Sequence, residues 1–230
     1  MKRKTLSVLA AAVLAVPAIA LSVPPASAQA APPAAVAADA PVADEPEADP
    51  NCFDGDCKLG PAKLPTTGKL GELVKDYQRF GGLSSKDFLR TYWDPAAGSR
   101  GRWKYPSNNG FKVGEDGRTL LDKKDVEVEV NTALDRFGSE EGAYLALAGT
   151  PYAKRAMPPQ GLVEPVVYHD YVVKKPFKVY RGTTAPYFNQ PGDGTQFQLD
   201  HTLLADIPGV PQDDKKILPW LITNHYLDRA

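Results

Sequence analysis

The chain is poor in the residues that most metal and thiol chemistry needs. Its 230 residues include two cysteines, two methionines and three histidines. His169, His201 and His225 stand apart in the sequence and form no metal-ligand pattern, so neither a zinc enzyme nor any other metal centre is expected. Gly-x-Ser-x-Gly, His-Glu-x-x-His, a Walker loop and a dinucleotide-binding Gly-x-Gly-x-x-Gly are all missing, which removes the enzyme classes built on them. Charge of one sign is missing too. The formal net charge is -1, and basic and acidic residues nearly cancel beyond residue 50, so nothing suggests a nucleic-acid surface. After the first two dozen residues there is no apolar run long enough to span a bilayer.

What is present begins with an export signal. Lys2, Arg3 and Lys4 precede an apolar stretch over 6–21, broken by Pro17, and Ala26-Ser27-Ala28 suits a cleavage site. Residues 1–28 therefore read as a secretory signal peptide, and the mature protein is expected to be secreted, extracellular and without a stable membrane anchor. Residues 29–50 are mostly Ala, Pro, Val, Asp and Glu, with no basic or aromatic residue. Such a stretch buries too little apolar surface to offset its ordering entropy and is expected to be a disordered tether. The rest suits one domain by length. In an exported chain Cys52 and Cys57 are expected to pair in a tight disulfide turn, and Asp54-Gly55-Asp56 between them lacks further ligands at EF-hand spacing.

Leu70, Leu73, Val74, Tyr77 and Phe80 recur at helical spacing up to Gly81-Gly82, and Ser84 or Ser85 caps a second helix carrying Phe88, Leu89, Tyr92 and Trp93. Residues 94–122 read as long loops pinned by Trp103, Tyr105 and Phe111. Strands are expected over 126–130, 144–147, 166–173, 177–180 and 195–199, then short helical or mixed elements over 203–207 and 217–227. Helices first and strands later predict an α+β fold with a small, mostly antiparallel sheet. Glu127 and Glu129 alternate onto one strand face, where solvated carboxylates are common.

The chemistry-bearing residues gather in a few blocks. Leu134-Asp135-Arg136-Phe137-Gly138 is followed by Tyr144, by Gly149-Thr150-Pro151-Tyr152 and by Arg155-Ala156-Met157-Pro158-Pro159. Tyr168-His169-Asp170-Tyr171 comes next, then Pro186-Tyr187-Phe188-Asn189-Gln190-Pro191-Gly192-Asp193-Gly194-Thr195-Gln196-Phe197. Arginines and aromatics around a Gly-rich turn suit a ligand with phosphates and flat rings, and the 186–197 turn reads as one wall of its site.

In order and spacing these blocks resemble the TNT domain, named after tuberculosis necrotizing toxin, a family of NAD+ glycohydrolases. The resemblance covers residues 103–230, and 51–102 then looks like the N-terminal helical extension of secreted stand-alone members. It implies cleavage of the nicotinamide–ribose bond of NAD+, with NADP+ as a second candidate substrate, no cofactor, and an immunity protein as a candidate partner. It assigns catalytic roles to Gln196, Arg136 and His169, with Tyr171 as an alternative for the histidine position. Phe137, Tyr144, Arg155 and Thr195 are assigned to substrate binding. Two other readings stay open: an ADP-ribosyltransferase toxin, and a secreted NAD-binding module without catalysis.

Overall fold

The computed structural model describes residues 49–166 and 168–230. The expected signal peptide (1–28) and nearly all of the expected tether (29–50) lie outside the described residues. Strands β1 (Trp93–Asp94) and β2 (Arg102–Trp103) form a small antiparallel pair. Seven more strands build the main sheet: β3 (Lys124–Val128), β4 (Ala133–Phe137), β5 (Tyr144–Leu147), β6 (Tyr168–Val173), β7 (Phe177–Thr183), β8 (Thr195–Gln198) and β9 (Leu227–Arg229). Their spatial order is β3-β7-β8-β5-β4-β6-β9, and every neighbouring pair is antiparallel. This is the expected α+β architecture with a mainly antiparallel sheet. Strand β4, which the sequence showed only as a motif, lies between β5 and β6.

Alternation gives the sheet two different faces. Leu134, Leu145, Val179 and Phe197 point to one, where Ile217, Leu218 and Leu221 of helix α3 (Ile217–Thr223) cover them. The chain then returns to the sheet as β9, so the helical reading of 217–227 holds only for its first part. Near the other face, helix α1 (Gly68–Val74) packs Leu73 and Val74 with Phe137, Tyr152 and Leu162. This helix stops well before Gly81. The residues that continue its apolar spacing have separate destinations: Tyr77 packs edge-on against Tyr152, and Phe80 against Phe53 and Phe88.

Helix α2 (Ser85–Tyr92) starts as its sequence suggests, with the Ser84 side chain accepting from the Asp87 amide. Its Phe88 is fully buried with Trp103, Leu59 and Phe188. Phe188 belongs to the Pro/Gly turn, where it and Asn189 take left-handed φ angles of 51° and 53°. Gln190 donates to the Gln78 carbonyl (2.6 Å) and Asn189 donates to that of Gly81 (2.6 Å). A Cβ at Gly81 would collide with the Asn189 carbonyl, which explains a glycine there. Residues 186–191 therefore dock the N-terminal helices, a correction to their reading as a wall of the ligand site. The Cys52–Cys57 disulfide is formed, and no helix among the described residues is long and apolar enough to cross a membrane.

Candidate active site

Register places Asp135 beside Ala146, Ala146 beside Gln196, and Gln196 beside Gly182. Residues paired across antiparallel strands share a face, so a carboxylate and an amide flank an alanine on the face opposite the main core. The small Ala146 leaves room above it. The space is a cavity of about 470 Å³ whose lining includes Asp135, Phe137, Tyr144, Ala146, Arg155 and Gln196. That size lies within the range of small-molecule sites, roughly 300–1,000 Å³.

Arg155 supplies the cavity's positive charge from inside the fold. Its side chain is 7% exposed and that of Asp135 0%, with their charged atoms 2.7 Å apart. The Arg155 Nε and Nη2 donate to the Thr150 carbonyl, and Nη2 also donates to Asp135 Oδ2. The same Oδ2 accepts from the Gly149 amide (3.0 Å) and the Tyr168 hydroxyl (2.8 Å). Nη1 has no acceptor among the described residues and is a donor available to a ligand. The guanidinium carbon lies 5.0 Å from the Phe137 ring centre, a cation–π contact that steadies the group. Phe137 itself is 4% exposed, between Tyr152 and Tyr168. It supports Arg155 from below and is not a free stacking surface.

The Gly-Thr-Gln block explains how Arg155 meets Gln196. The Gly194 amide donates to the Lys154 carbonyl (3.1 Å), and a Cβ at Gly194 would lie 2.6 Å from that oxygen. Glycine thus lets the lead into β8 press against the turn that carries Arg155. Thr195 and Gln196 follow at once and both line the cavity. The Gln196 Nε2 donates to the Asn109 carbonyl at 2.8 Å.

Arg136 is placed differently from expectation. Its register partner is His169, and both leave the sheet on the face opposite Asp135 and Phe137. Arg136 borders the cavity, but its Nε donates to the Ser139 carbonyl and its Nη1 to the Tyr144 carbonyl, each at 2.6 Å. A Cβ at Gly142 would overlap the guanidinium. The spacing of Arg136, Gly142 and Tyr144 therefore describes an arginine clasping the β4–β5 loop, and burial lowers its pKa. Tyr144, 36% exposed, stands at the rim on the cavity face. Burial, with Asp214 nearby, raises the pKa of its hydroxyl, which keeps it neutral and able to donate.

His169 does not reach the cavity lining. It stacks on Tyr171 with its Nδ1 3.7 Å from Glu140 Oε1. Glu140 also accepts from Tyr171 and Arg229, so both candidates for the histidine position belong to a polar cluster behind the sheet. His169 thus stands outside the cavity lining, away from the place its expected catalytic role requires. Asp135 and Asn109, conversely, are site residues that the sequence motifs do not mark as such. Strand alternation over 133–137 separates Asp135 and Phe137 from Arg136, and that signal was available.

Among the described residues, one histidine–carboxylate cluster has the reach to hold a cation: Asp200, His201 and Asp214. His201 Nδ1 is already 2.8 Å from Asp214 Oδ1. The cluster lies outside the cavity lining.

Comparison with known proteins adds sequence and fold similarity. Residues 127–230 match the family model described as tuberculosis necrotizing toxin. A conidial surface nicotinamide adenine dinucleotide glycohydrolase of Aspergillus fumigatus is 40% identical over 148 residues, which are 62% of each chain. The chain thus aligns with somewhat under two thirds of that relative's length. The solved structure of tuberculosis necrotizing toxin with its immunity factor superposes with a TM-score of 0.53 at 19% identity, covering 75% of this chain and 87% of that one. With the sheet, the Gly194 approach and the Arg155–Gln196 cavity in place, residues 127–230 form the part of the chain that is similar to the tuberculosis necrotizing toxin (TNT) family.

Proposed function

We propose that the protein is a secreted NAD+ glycohydrolase that splits NAD+ into nicotinamide and ADP-ribose, with NADP+ as a second substrate. The observation that carries this reading is the meeting of Arg155 and Gln196 in one cavity: a buried, oriented cation beside an uncharged amide. Nicotinamide leaves as a neutral molecule, so its departure needs no general acid. The electron pair of the breaking C–N bond goes to the ring nitrogen, water forms the new C–O bond at the ribose C1′, and the water proton passes to solvent. Positive charge develops on the ribose, much as in glycoside hydrolysis.

Each group has a place in that scheme. Arg155 Nη1 holds the pyrophosphate. The Gln196 carbonyl oxygen accepts from the attacking water or a ribose hydroxyl, which aims the water without making the amide a base. Tyr144 and Thr195 border the ribose end. These are positioning and electrostatic roles, which supply much of the rate in such reactions. The exposed Glu127, on β3, and Glu129, just past its end, stand outside the cavity lining, so transfer to a protein has no specific support. The Aspergillus relative is named as a surface protein and the solved toxin is bound to an immunity factor. By extension this chain acts outside the cell that makes it, and an immunity protein is a candidate partner.

Incubating protein that lacks residues 1–28 with NAD+ alone tests the reading. Nicotinamide and ADP-ribose are expected without any target protein, and Gln196→Ala is expected to lose at least about a hundredfold in kcat. Intact NAD+ with the wild type, or full turnover by Gln196→Ala, overturns it.

A further inference from the structure

Opposite Gln196 the cavity is closed by a stretch that precedes the family match at residue 127. There Asn108, Asn109 and Gly110 take left-handed φ angles in succession, 58°, 55° and 77°. One such residue is ordinary in a turn, but three in a row are costly for L-amino acids, least so for Asn and Gly. The surroundings hold them in place. The Gly110 carbonyl accepts from the Ala185 amide (2.8 Å). Phe111, 1% exposed, bridges to Thr184 and packs over Gly182, where a Cβ would lie 2.7 Å from its ring. Strain maintained in this way at a site wall points to a task for the strained residues.

The task is visible in the Asn109 carbonyl, which accepts the Gln196 side-chain amide at 2.8 Å. A carbonyl oxygen only accepts, so the nitrogen of the amide has to face it and the oxygen has to face away. Gln196 Oε1 has no protein donor among the described residues. Gly110 stands beside it, where a Cβ would come within 3.5 Å.

We propose that the left-handed turn Asn108–Gly110 is the positioning element for Gln196: it takes up the amide nitrogen and presents the amide oxygen to the cavity as an acceptor. The inference rests on the NAD+-cleaving role given to Gln196 above, and it adds that a segment ahead of residue 127, where the family match begins, completes the site. It also accounts for a glutamine in that role. A glutamate of the same length would set a carboxylate against the Asn109 carbonyl, acceptor against acceptor.

The test compares Asn109→Val with Asn109→Gly in the chain lacking residues 1–28. Valine keeps the carbonyl but is strongly disfavoured at φ 55°, so the turn must shift. Glycine keeps both the carbonyl and the left-handed freedom. Asn109→Val is expected to lose about tenfold or more in kcat with KM changed by less than about threefold, as for a misplaced catalytic group, while Asn109→Gly restores most of the turnover. Asn109→Ala, a milder strain, serves if the valine variant does not fold.

A second readout does not depend on activity. The Gln196 side-chain amide resonances, assigned by their loss in Gln196→Ala, are expected to exchange slowly with water in the wild type and quickly in Asn109→Val. Unchanged kcat in the valine and alanine variants, or a freely exchanging amide in the wild type, overturns the proposal. If the wild type leaves NAD+ intact while the amide is protected and Asn109 substitution releases it, the functional reading fails and the tether stands.

Discussion

Replacing Arg155 separates what holds the cavity together from what works in it. Arg155→Met removes a guanidinium that is 7% exposed and leaves the Asp135 carboxylate, 0% exposed, with the Gly149 amide and the Tyr168 hydroxyl as its remaining donors. Breaking a buried ion pair from one side costs about 3–5 kcal/mol, because the surviving charge stays desolvated. For a domain of this size, where 1 kcal/mol moves Tm by roughly 2–4 °C, the melting temperature should fall by about 10 °C. Adding Asp135→Asn removes the orphaned charge while its side-chain oxygen still accepts from Gly149 and Tyr168. Most of the lost stability should then return, since paired removal of a buried ion pair is often close to neutral. Turnover of NAD+ should stay low, because the double variant lacks the buried guanidinium that holds the pyrophosphate. Thermal unfolding followed by circular dichroism, alongside a nicotinamide-release assay, reads both quantities. A single variant as stable as the wild type refutes the ion-pair reasoning, and a double variant that cleaves NAD+ normally refutes the phosphate role.

Two further perturbations probe the other face of β4. Arg136→Ala should free residues 139–144, since it removes both hydrogen bonds to the Ser139 and Tyr144 carbonyls; hydrogen exchange there should speed up, and unchanged protection would dismiss the clasp. Glu140 is held below the usual carboxylate range first by its hydrogen bond from Arg229 and then by that from Tyr171. A depressed folded pKa stabilises above the unfolded value, about 4.3, and that contribution is lost as pH falls through the folded pKa. Glu140→Gln should therefore be less stable than the wild type in urea at pH 7, with the gap closing toward pH 3; a gap independent of pH would contradict this.

Local patterns in the chain specified much of the frame. The period-two runs located β5 to within its observed bounds and placed β3, β6, β7 and β8 correctly in outline. Ser84 fixed the start of α2 through its bond to the Asp87 amide. Helix α1 ends at Val74, and the residues after it serve contacts outside its own sequence: the carbonyls of Gln78 and Gly81 accept from the 186–191 turn. The spacing of Asp135, Arg136, Tyr144, Arg155, Gln196 and the glycines pointed to the family through a resemblance, without stating what each residue does.

The roles depended on which side of the sheet each residue occupies. Neighbours in sequence diverge there: Asp135 is in the cavity wall with Arg155, while Arg136 turns to the opposite face beside His169 and clasps a loop. Residues far apart converge, as Asn109 and Gln196 do across 87 positions. By itself the sequence determined most element types, the disulfide pair and the glycines that permit close approach, because these follow from dihedral preference and short-range spacing. Only the tertiary structure decided which arginine is buried on the face of Gln196 and which histidine lies behind the sheet, because those outcomes depend on strand register and on contacts between segments that no local pattern records.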